Sequence, residues 1–259
     1  MSSDTAKSTT AKPMNWFDRL AHPGQFLIWS RYFVWPLAII ATALFAVGLW
    51  YAFFNSPEDY QMGDTVRIMY VHVPNAWLSQ FVYVAMAISA VGTLVWRHPL
   101  ADVSMKAAAP LGAAFTAMAL FTGALWGRPT WGTFWEWDGR MTSTLVLFLM
   151  YLGLVVLWRS FDDQLRAAKL IAVLTLVGAI NIPVIKFSVD WWNTLHQPAS
   201  VMRAGGPTMP SSILIPLIVM TFAFTFLFAL LQVISMRTEI LRRRVRALER
   251  KSALEGISQ

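Results

Sequence analysis

The sequence predicts an all-α integral membrane protein, a bundle of six transmembrane helices with both termini cytoplasmic. Of its 259 residues, 56% are apolar and only 14% are charged, whereas about a quarter of the residues in soluble domains are charged. Six apolar stretches approach or exceed the roughly 18 residues that mark a membrane-spanning helix. The basic residues between these stretches are divided unequally, and this asymmetry predicts the orientation.

The six predicted spans are separated by polar loops and cover residues 33–54, 76–96, 107–126, 143–158, 170–187 and 213–234. The second span follows Pro74, which suits a first helical turn because the N–H that proline lacks is not needed there. Thr142 is a candidate N-cap of the fourth span. The fifth span contains Asn181, Pro183 and Lys186, and proline inside a helix predicts a kink. The first span is too long and too late for a cleavable signal peptide, so we expect it to remain as an anchor.

Lysine and arginine are concentrated in the loops of one predicted side. Sixteen of the 21 lie in the two tails, the second-to-third loop and the fourth-to-fifth loop. Of the other five, four lie in the remaining loops and Lys186 lies near the end of the fifth span that faces them. Because basic residues are retained in the cytoplasm, the loops at 55–75, 127–141 and 188–212 are predicted to face outward. The net charge of +7 requires no nucleic acid, since the basic residues would contact anionic lipid at the cytoplasmic face.

The polar ends of the chain are predicted to flank a single membrane domain. We expect residues 1–14 to be a disordered extension, residues 15–236 to form the membrane domain and residues 237–259 to be a basic cytoplasmic helix or tail. That tail is either a solvated topological anchor or a helix that lies on the membrane or contacts a partner.

Several kinds of chemistry are excluded by missing motifs. The chain has no cysteine, so it forms no disulfide, has no thiol nucleophile and cannot attach haem through a C-x-x-C-H motif. It also lacks a phosphate-binding loop, an H-E-x-x-H motif and a G-x-S-x-G motif. We therefore expect no enzyme, and a partner would have to hydrolyse any ATP that the work consumes.

One predicted outward loop, WGRPTWGTFWEWD, is dense in tryptophan: Trp126, Trp131, Trp135 and Trp137. Gly127, Pro129 and Gly132 predict that no regular helix forms before Asp138. The indoles are either interface anchors, as in many membrane proteins, or a broad apolar platform for a planar ligand such as a porphyrin. A stacked sugar ring is the competing ligand.

The four histidines separate into two pairs by predicted side. His22 and His98 are predicted to be cytoplasmic, whereas His72 and His196 lie on the side of the tryptophan loop. Neutral imidazole is a common ligand of haem iron. Two histidines that flank an aromatic loop therefore favour haem as the ligand over a sugar, whose site would be richer in acidic and amide side chains.

Two stretches carry a resemblance to a known family. The stretch WGRPTWGTFWEWDGRMT closely resembles the WWD signature of haem-handling membrane proteins, and DYQMGDTVRIMYVHVPNAW resembles the first outward loop of the haem exporter protein C family of cytochrome c maturation system I. The resemblance extends from about Trp16 to the C-terminal helix. The signature falls on Trp126, Gly127, Trp131, Gly132, Trp135, Trp137, Asp138 and Arg140. Phe134 stands where an indole is often found and Met141 where leucine is usual.

The resemblance implies a function, a cofactor and a set of partners. It places His72 and His196 at two axial ligands of the haem iron, with the haem b-type, non-covalent and transiently bound. It implies that the protein binds haem at the periplasmic face of the bacterial inner membrane and presents it to a periplasmic haem chaperone. The implied partners also include the ATPase and membrane subunits of an ABC transporter and a small single-span subunit.

Two further roles are assigned from the residues. A haem propionate suits a guanidinium, whose planar fork matches a carboxylate, and Arg128 is the first candidate, ahead of Arg67 and Arg203. Asp138 could accept from an indole N–H, pair with Arg140 or stabilise the start of the fourth helix. We expect it to shape the loop and not to contact haem directly.

Two other classes of function remain open at this point. The chain could be a haem-containing electron-transfer subunit, although such subunits usually place both ligands inside spanning helices. It could also be a glycan or lipid-carrier enzyme that stacks its substrate on tryptophan. A haem absorbance spectrum counts against the enzyme, and transfer of haem to another protein counts against the electron-transfer subunit.

Overall fold

The computed structural model describes residues 22–60, 62–192, 194–196, 200–201, 203 and 205–257. The predicted extension at 1–14 lies outside the described residues. The helices in the described part are α1 (Pro23–Trp50), α2 (Met69–Val95), α3 (Ala101–Trp131), α4 (Gly139–Ser160), α5 (Gln164–Gly178), α6 (Asn181–Trp191) and α7 (Ser211–Ile257). A π-helical turn, Tyr51–Asn55, continues α1, and a 3₁₀ turn, Asp64–Ile68, precedes α2.

The structure contains six helical segments, with α5 and α6 taken together, that are long and apolar enough to cross a membrane. The prediction of an all-α protein with six such segments is therefore confirmed. Each observed segment is longer than its predicted span, because hydropathy detects only the apolar centre. The helix continues wherever its backbone groups can still pair along the chain.

Two helix starts differ from the prediction. The 3₁₀ turn feeds α2 from Asp64 onward, so α2 begins at Met69 and Pro74 lies inside the helix and not in its first turn. The N-cap of α4 is Asp138 and not Thr142, because the Asp138 carboxylate accepts the Met141 N–H at 2.7 Å. In both cases the helix begins earlier in the chain than the sequence predicted.

The predicted kink in the fifth span is confirmed as a break between two helices. Helix α5 ends at Gly178 and α6 begins at Asn181, which places Pro183 in the first turn of α6. The Asn181 side chain donates to the Ser143 carbonyl at 2.9 Å and fixes the break against α4.

Helix α2 lies at the centre of the bundle and packs against α3, α5 and α7, whereas α1 packs along α7 at the edge. The core holds fully buried side chains from four helices, including Leu78, Tyr83, Met105, Tyr151 and Ile171. The outer faces are apolar as well: Trp35 is 74% exposed and Ile88 69% exposed. Apolar side chains on both faces are typical of helices surrounded by lipid.

Helix α7 continues beyond its apolar part into the basic segment. At 1.5 Å per residue a 47-residue helix is about 70 Å long, whereas the hydrocarbon core of a bilayer is about 30 Å thick. Arg237 in this extension donates to the Leu27 carbonyl and the Ser30 hydroxyl of α1, each at 2.7 Å. These hydrogen bonds attach the extension to α1 at the point where it leaves the bundle.

The beginnings of α2, α4 and α7 and the ends of α3 and α6 lie at the same end of the bundle, because residues of α2, α3 and α7 share one buried cluster there and Asp138 and Trp131 contact His196. His72, the tryptophan loop and His196 belong to these ends. The fold thus places the sequence-predicted site residues on one side.

Candidate functional site

The sequence predicted that His72 lies in the loop before the second span. In the structure it lies in the first turns of α2. The difference follows from the early start of α2 at Met69. Its imidazole contacts α3, where Nδ1 lies 3.0 Å from the Ala119 carbonyl oxygen and 3.2 Å from the Thr122 hydroxyl. The Thr122 hydroxyl itself donates to the Met118 carbonyl at 2.6 Å, so it accepts from the ring.

The partners of His72 determine its tautomer. A carbonyl oxygen only accepts, so Nδ1 must carry the proton. The other nitrogen, Nε2, then has a free lone pair and makes no hydrogen bond with any described residue. A histidine that binds a metal through one ring nitrogen usually donates the N–H of its other nitrogen to a protein acceptor, which fixes the tautomer and the ring orientation.

Gly123 makes room for the His72 ring on α3. A Cβ atom at this position would come within 2.8 Å of His72 Cε1, closer than real Cβ contacts allow. The ring can therefore come this close to the backbone of α3 only because residue 123 has no side chain.

His196 lies between α6 and α7 and is held by Asp138. Its Nδ1 lies 2.8 Å from Asp138 Oδ2, and its backbone N–H donates to the Thr194 hydroxyl at 3.1 Å. Thr194 in turn donates to the same carboxylate oxygen, Oδ2. The carboxylate thus fixes both the ring and the segment that carries it.

The charges of this pair favour a neutral imidazole beside a carboxylate. Burial alone would raise the pKa of Asp138, but hydrogen bonds from Thr194, the Met141 N–H and His196 outweigh it, and the pKa lies below its usual value. Burial lowers the pKa of His196, although Asp138 opposes this effect. An ionised Asp138 accepts the Nδ1 proton and leaves His196 Nε2 free, which is the same tautomer as in His72.

The other two histidines show the opposite arrangement. His22 Nδ1 accepts the Gly24 N–H at 3.1 Å, and His98 Nδ1 accepts the Leu100 N–H at 3.2 Å. In a neutral ring the proton is then on Nε2, where it blocks the nitrogen that would bind a metal. Their hydrogen bonds cap helix starts.

The tryptophan loop begins later than predicted. Helix α3 passes through Gly127 and Pro129 and ends at Trp131, so the expectation of no regular helix before Asp138 is wrong for these residues. Pro129 is tolerated because the helix ends within a turn of it. Gly132 ends the helix with a left-handed φ of 80°, and its N–H donates to the Arg128 carbonyl at 3.0 Å, a common form of C-cap.

Two of the four tryptophans contact the two histidines. Trp126 packs edge-on against His72 with ring centroids 5.7 Å apart, and Trp131 packs edge-on against His196 at 4.8 Å. Trp126 Nε1 also donates to the Met62 sulfur at 3.1 Å. Each candidate ligand thus has one indole from the last turns of α3 beside it.

The other two tryptophans pair with each other. Trp135 and Trp137 pack edge-on with ring centroids 5.3 Å apart, and Trp137 is 71% exposed. Gly127 is buried beneath Trp131, and a Cβ there would come within 3.1 Å of that indole. The loop therefore has one pair of indoles beside the histidines and a second pair in which Trp135 is half-buried and Trp137 is exposed.

The predicted anion-binding arginines are not brought to the histidines. Arg128 is exposed and lies over the Phe134 ring at 4.9 Å. Arg67 is paired with Asp64 at 2.6 Å, and Arg203 is exposed in the connection between α6 and α7. None of the three makes a contact with His72 or His196 among the described residues.

Arg140 is the basic residue that lies close to the histidines. It lies close enough to both imidazoles for its positive charge to disfavour their protonation. It is half-buried, and its Nε has no hydrogen-bond partner among the described residues. The sequence analysis had placed Arg140 only in the signature and beside Asp138, because chain position alone does not show which side of α4 faces a site.

The candidate site thus contains two imidazole nitrogens with free lone pairs, the indoles of Trp126 and Trp131, and the guanidinium of Arg140, whose Nε has no hydrogen-bond partner among the described residues. The described residues contain no group of three or more His, Asp or Glu side chains that could bind a bare metal ion. Two imidazoles therefore suit a metal that brings most of its own ligands, as the iron of a planar macrocycle does.

The fold and the site define a multi-pass membrane protein with a paired-histidine, tryptophan-rich site at one end of its bundle. A model of the family described as heme exporter protein C matches residues 16–251. The chain is 64% identical over 235 residues to heme exporter protein C of Bradyrhizobium diazoefficiens, covering 90% of this chain and 89% of the relative. The protein belongs to the heme exporter protein C family.

More distant relatives match along most of their length. Heme exporter protein C of Haemophilus influenzae is 44% identical over 205 residues, 79% of this chain and 83% of the relative. That of Escherichia coli is 42% identical over 224 residues, 86% of this chain and 90% of the relative. The resemblance noted in the tryptophan loop thus extends over the whole membrane domain.

Proposed function

We propose that this protein binds haem between His72 and His196 at the periplasmic face of the inner membrane and presents it to a periplasmic haem chaperone. The observation that supports this proposal is that Nδ1 of each of these histidines donates to an acceptor, which leaves Nε2 free to bind a metal. In His22 and His98, by contrast, Nδ1 accepts a hydrogen bond from a backbone N–H. Membership of the heme exporter protein C family supports a role in haem export for cytochrome c maturation.

The residues present fit a b-type haem that is held reversibly. Haem would supply an iron that binds imidazole, and His72 and His196 would hold it through their free Nε2 atoms. Trp126 and Trp131 would contact the porphyrin next to each ligand. With no cysteine in the chain, coordination and stacking would hold the haem, and both can be released.

Arg140 would bind a propionate of the haem. Its position near both histidines and its unpartnered Nε favour it over Arg128, the first candidate from the sequence. A guanidinium in a partly desolvated site forms strong hydrogen bonds with a carboxylate.

Replacing Arg140 with glutamine should weaken haem binding without changing the iron ligands. A lost charge-assisted hydrogen bond is worth about 1.5–3 kcal/mol, which corresponds to about 10–100-fold in affinity. Haem titration of the purified variant measures the affinity, and the absorbance spectrum reports the ligands. Arg128→Gln is the control, and an equal loss in both variants would remove Arg140 from this role.

The placement of the ligands favours haem delivery over permanent electron transfer. His72 lies in a spanning helix, whereas His196 lies in the connection between α6 and α7. A ligand on a connection can move away without disturbing the packed bundle, so one side of the site would open when haem leaves. An electron-transfer subunit has no use for such an opening.

Partners would complete the export process. We infer that an ABC transporter supplies the ATPase and membrane subunits, that a small single-span subunit joins them, and that this chain acts as a non-enzymatic component. The lack of a phosphate-binding loop motif in this sequence agrees with that division of work.

Both termini would lie in the cytoplasm, with the histidine end of the bundle facing the periplasm. A reporter that is active only in the periplasm should work when fused at Met62 or Trp131. It should be inactive when fused at Arg97, Phe161 or the C-terminus, because those positions lie on the basic side. Reporter activity at Phe161 would contradict the orientation.

The function is tested by the amount of haem delivered to the chaperone. Replacing Trp126 and Trp131 together with alanine should reduce delivery strongly, since these are the indoles beside the two histidines and each stacked aromatic contact is worth about 1 kcal/mol beyond its buried area. The measurement is haem bound to the chaperone after incubation with membranes of matched protein content. The control replaces Trp35 and Trp50, which are exposed on α1. Equal delivery by both double variants would make the tryptophans interface anchors.

A further inference from the structure

A cavity of about 610 Å³ lies between the start of α3, the end of α4, the start of α5 and the basic part of α7. Lys106 lines it, whereas Trp126 on the same helix lies beside His72. At 1.5 Å per residue, α3 separates these two residues by about 30 Å. The cavity is therefore at the opposite end of the bundle from the histidines, and its size is ordinary for a ligand site.

Basic side chains outnumber acidic ones around the cavity by five to two. The basic residues are Lys106, Arg159, Arg242, Arg246 and Arg250, and the acidic residues are Asp162 and Glu239. Arg242, Arg246 and Arg250 follow one another at intervals of four, so they lie on one face of α7. The cavity thus has a wall of positive charge.

The buried acid of this region is already shared among three basic residues. Glu239 Oε1 accepts from Lys106 Nζ at 2.7 Å and from Arg243 Nε at 2.9 Å, and Oε2 accepts from Arg242 Nη1 at 3.3 Å. Its single negative charge is thus shared among three positive charges and does not balance the other arginines of the wall. Arg159 and Arg246 form no ion pair with any residue that the structure describes, and the same holds for Arg250.

The remaining lining is apolar and includes a hydrogen-bond donor without an acceptor. Pro110, Val155 and Ile234 contribute carbon surface. Trp158 is only 3% exposed, and its Nε1 has no hydrogen-bond partner among the described residues. Lys106 Nζ lies 5.4 Å from the centre of the Trp158 ring. The cavity therefore offers donors and positive charge beside apolar surface and is short of acceptors.

We propose that this cavity binds the phosphate group of an anionic ligand, with any acyl chain lying along the apolar wall. Phosphate supplies several acceptor oxygens, and arginine binds it in a planar, bidentate manner. The N-terminal residues 1–21 would not neutralise the site, because they contain three basic and two acidic side chains. The phosphate comes from an anionic phospholipid or from a free phosphate compound, and the two sources are separated by experiment.

The test is native mass spectrometry of the purified full-length protein with phosphatidylglycerol, phosphatidylcholine or inorganic phosphate. The cavity variant changes Arg159, Arg246 and Arg250 to glutamine. The matched control changes Arg166, Lys169 and Arg244, which do not line the cavity, and removes the same charge. A third variant, Ser235→Trp, fills the cavity without any change of charge. Unfolding temperatures measured without lipid show whether each variant is folded.

We expect the wild type and the control to retain phosphatidylglycerol about tenfold or more better than the cavity variant, since the cavity variant lacks three of the basic residues that attract an anionic headgroup. Ser235→Trp should lose retention too. Displacement by inorganic phosphate would identify free phosphate as a sufficient ligand, and retention of the lipid alone would identify a membrane lipid. Equal losses in the cavity and control variants, or no loss in a folded cavity variant, would overturn the proposal.

Discussion

Replacing His72 or His196 with alanine should remove most of the haem from the purified protein. Each histidine would supply one axial ligand, and loss of a ligand should exceed the about 10–100-fold effect of changing a residue that only supports one. Haem retained per protein after purification measures the effect. Added imidazole should restore part of the haem, because it can occupy the vacated position beside Thr122 or Asp138.

The matched controls for this experiment are His22→Ala and His98→Ala. These rings cap helix starts through Nδ1 and present the other tautomer, so their loss should leave the haem content unchanged. If the His72 and His196 variants retained as much haem as the wild type, the iron ligands would have to lie elsewhere in the chain.

Replacing Asp138 with asparagine should weaken haem binding by about 10–100-fold, the range found for outer partners of metal ligands. Asparagine keeps the size of the side chain and still caps α4, since its amide oxygen can accept the Met141 N–H. Its amide nitrogen, however, cannot accept the Nδ1 proton of His196. The ring would then move its proton to Nε2, the nitrogen needed for iron.

Asp163→Asn is the control for the change at Asp138. Asp163 caps α5 by accepting from the Leu165 and Arg166 N–H groups and has no histidine beside it. Haem titration of both variants separates loss of a cap from loss of the tautomer. If Asp138→Asn bound haem as tightly as Asp163→Asn, Asp138 would have only the helix-capping role that the sequence analysis also considered.

The sequence predicted the six spans because a membrane requires long apolar helices, and such stretches are visible without any knowledge of packing. It did not predict where the helices end. Helix α3 continues through Gly127 and Pro129, and α2 begins before Pro74. Glycine and proline indicate a break only on average, and contacts with neighbouring helices decide whether the backbone remains helical.

The sequence also predicted which histidines to consider but not what holds them. The acceptors of His72 are on α3, and Gly123 makes room for its ring. These residues are far from His72 in the chain, and no motif joins them. The position of Arg140 and the cavity near Trp158 depend in the same way on how helices face each other.

Asp138 shows how a partly correct prediction was completed by the structure. The sequence analysis gave stabilisation of the start of the fourth helix as one of three alternatives, and the hydrogen bond that Asp138 accepts from the Met141 N–H matches that alternative. Its contacts with Thr194 and His196 were missed, because these residues lie in a connection more than fifty positions later. Only the packing of α6 against α4 brings the two segments together.

The central claim is that His72 and His196 together bind one haem iron, and electron paramagnetic resonance of the oxidised protein tests it most directly. Two imidazole ligands produce low-spin ferric iron, whereas one imidazole leaves it high-spin. We expect a low-spin signal in the wild type, a high-spin signal in whatever haem remains bound to His72→Ala or His196→Ala, and a return to low spin with added imidazole. A high-spin wild type, or a low-spin signal that persists in either variant without imidazole, would contradict the claim.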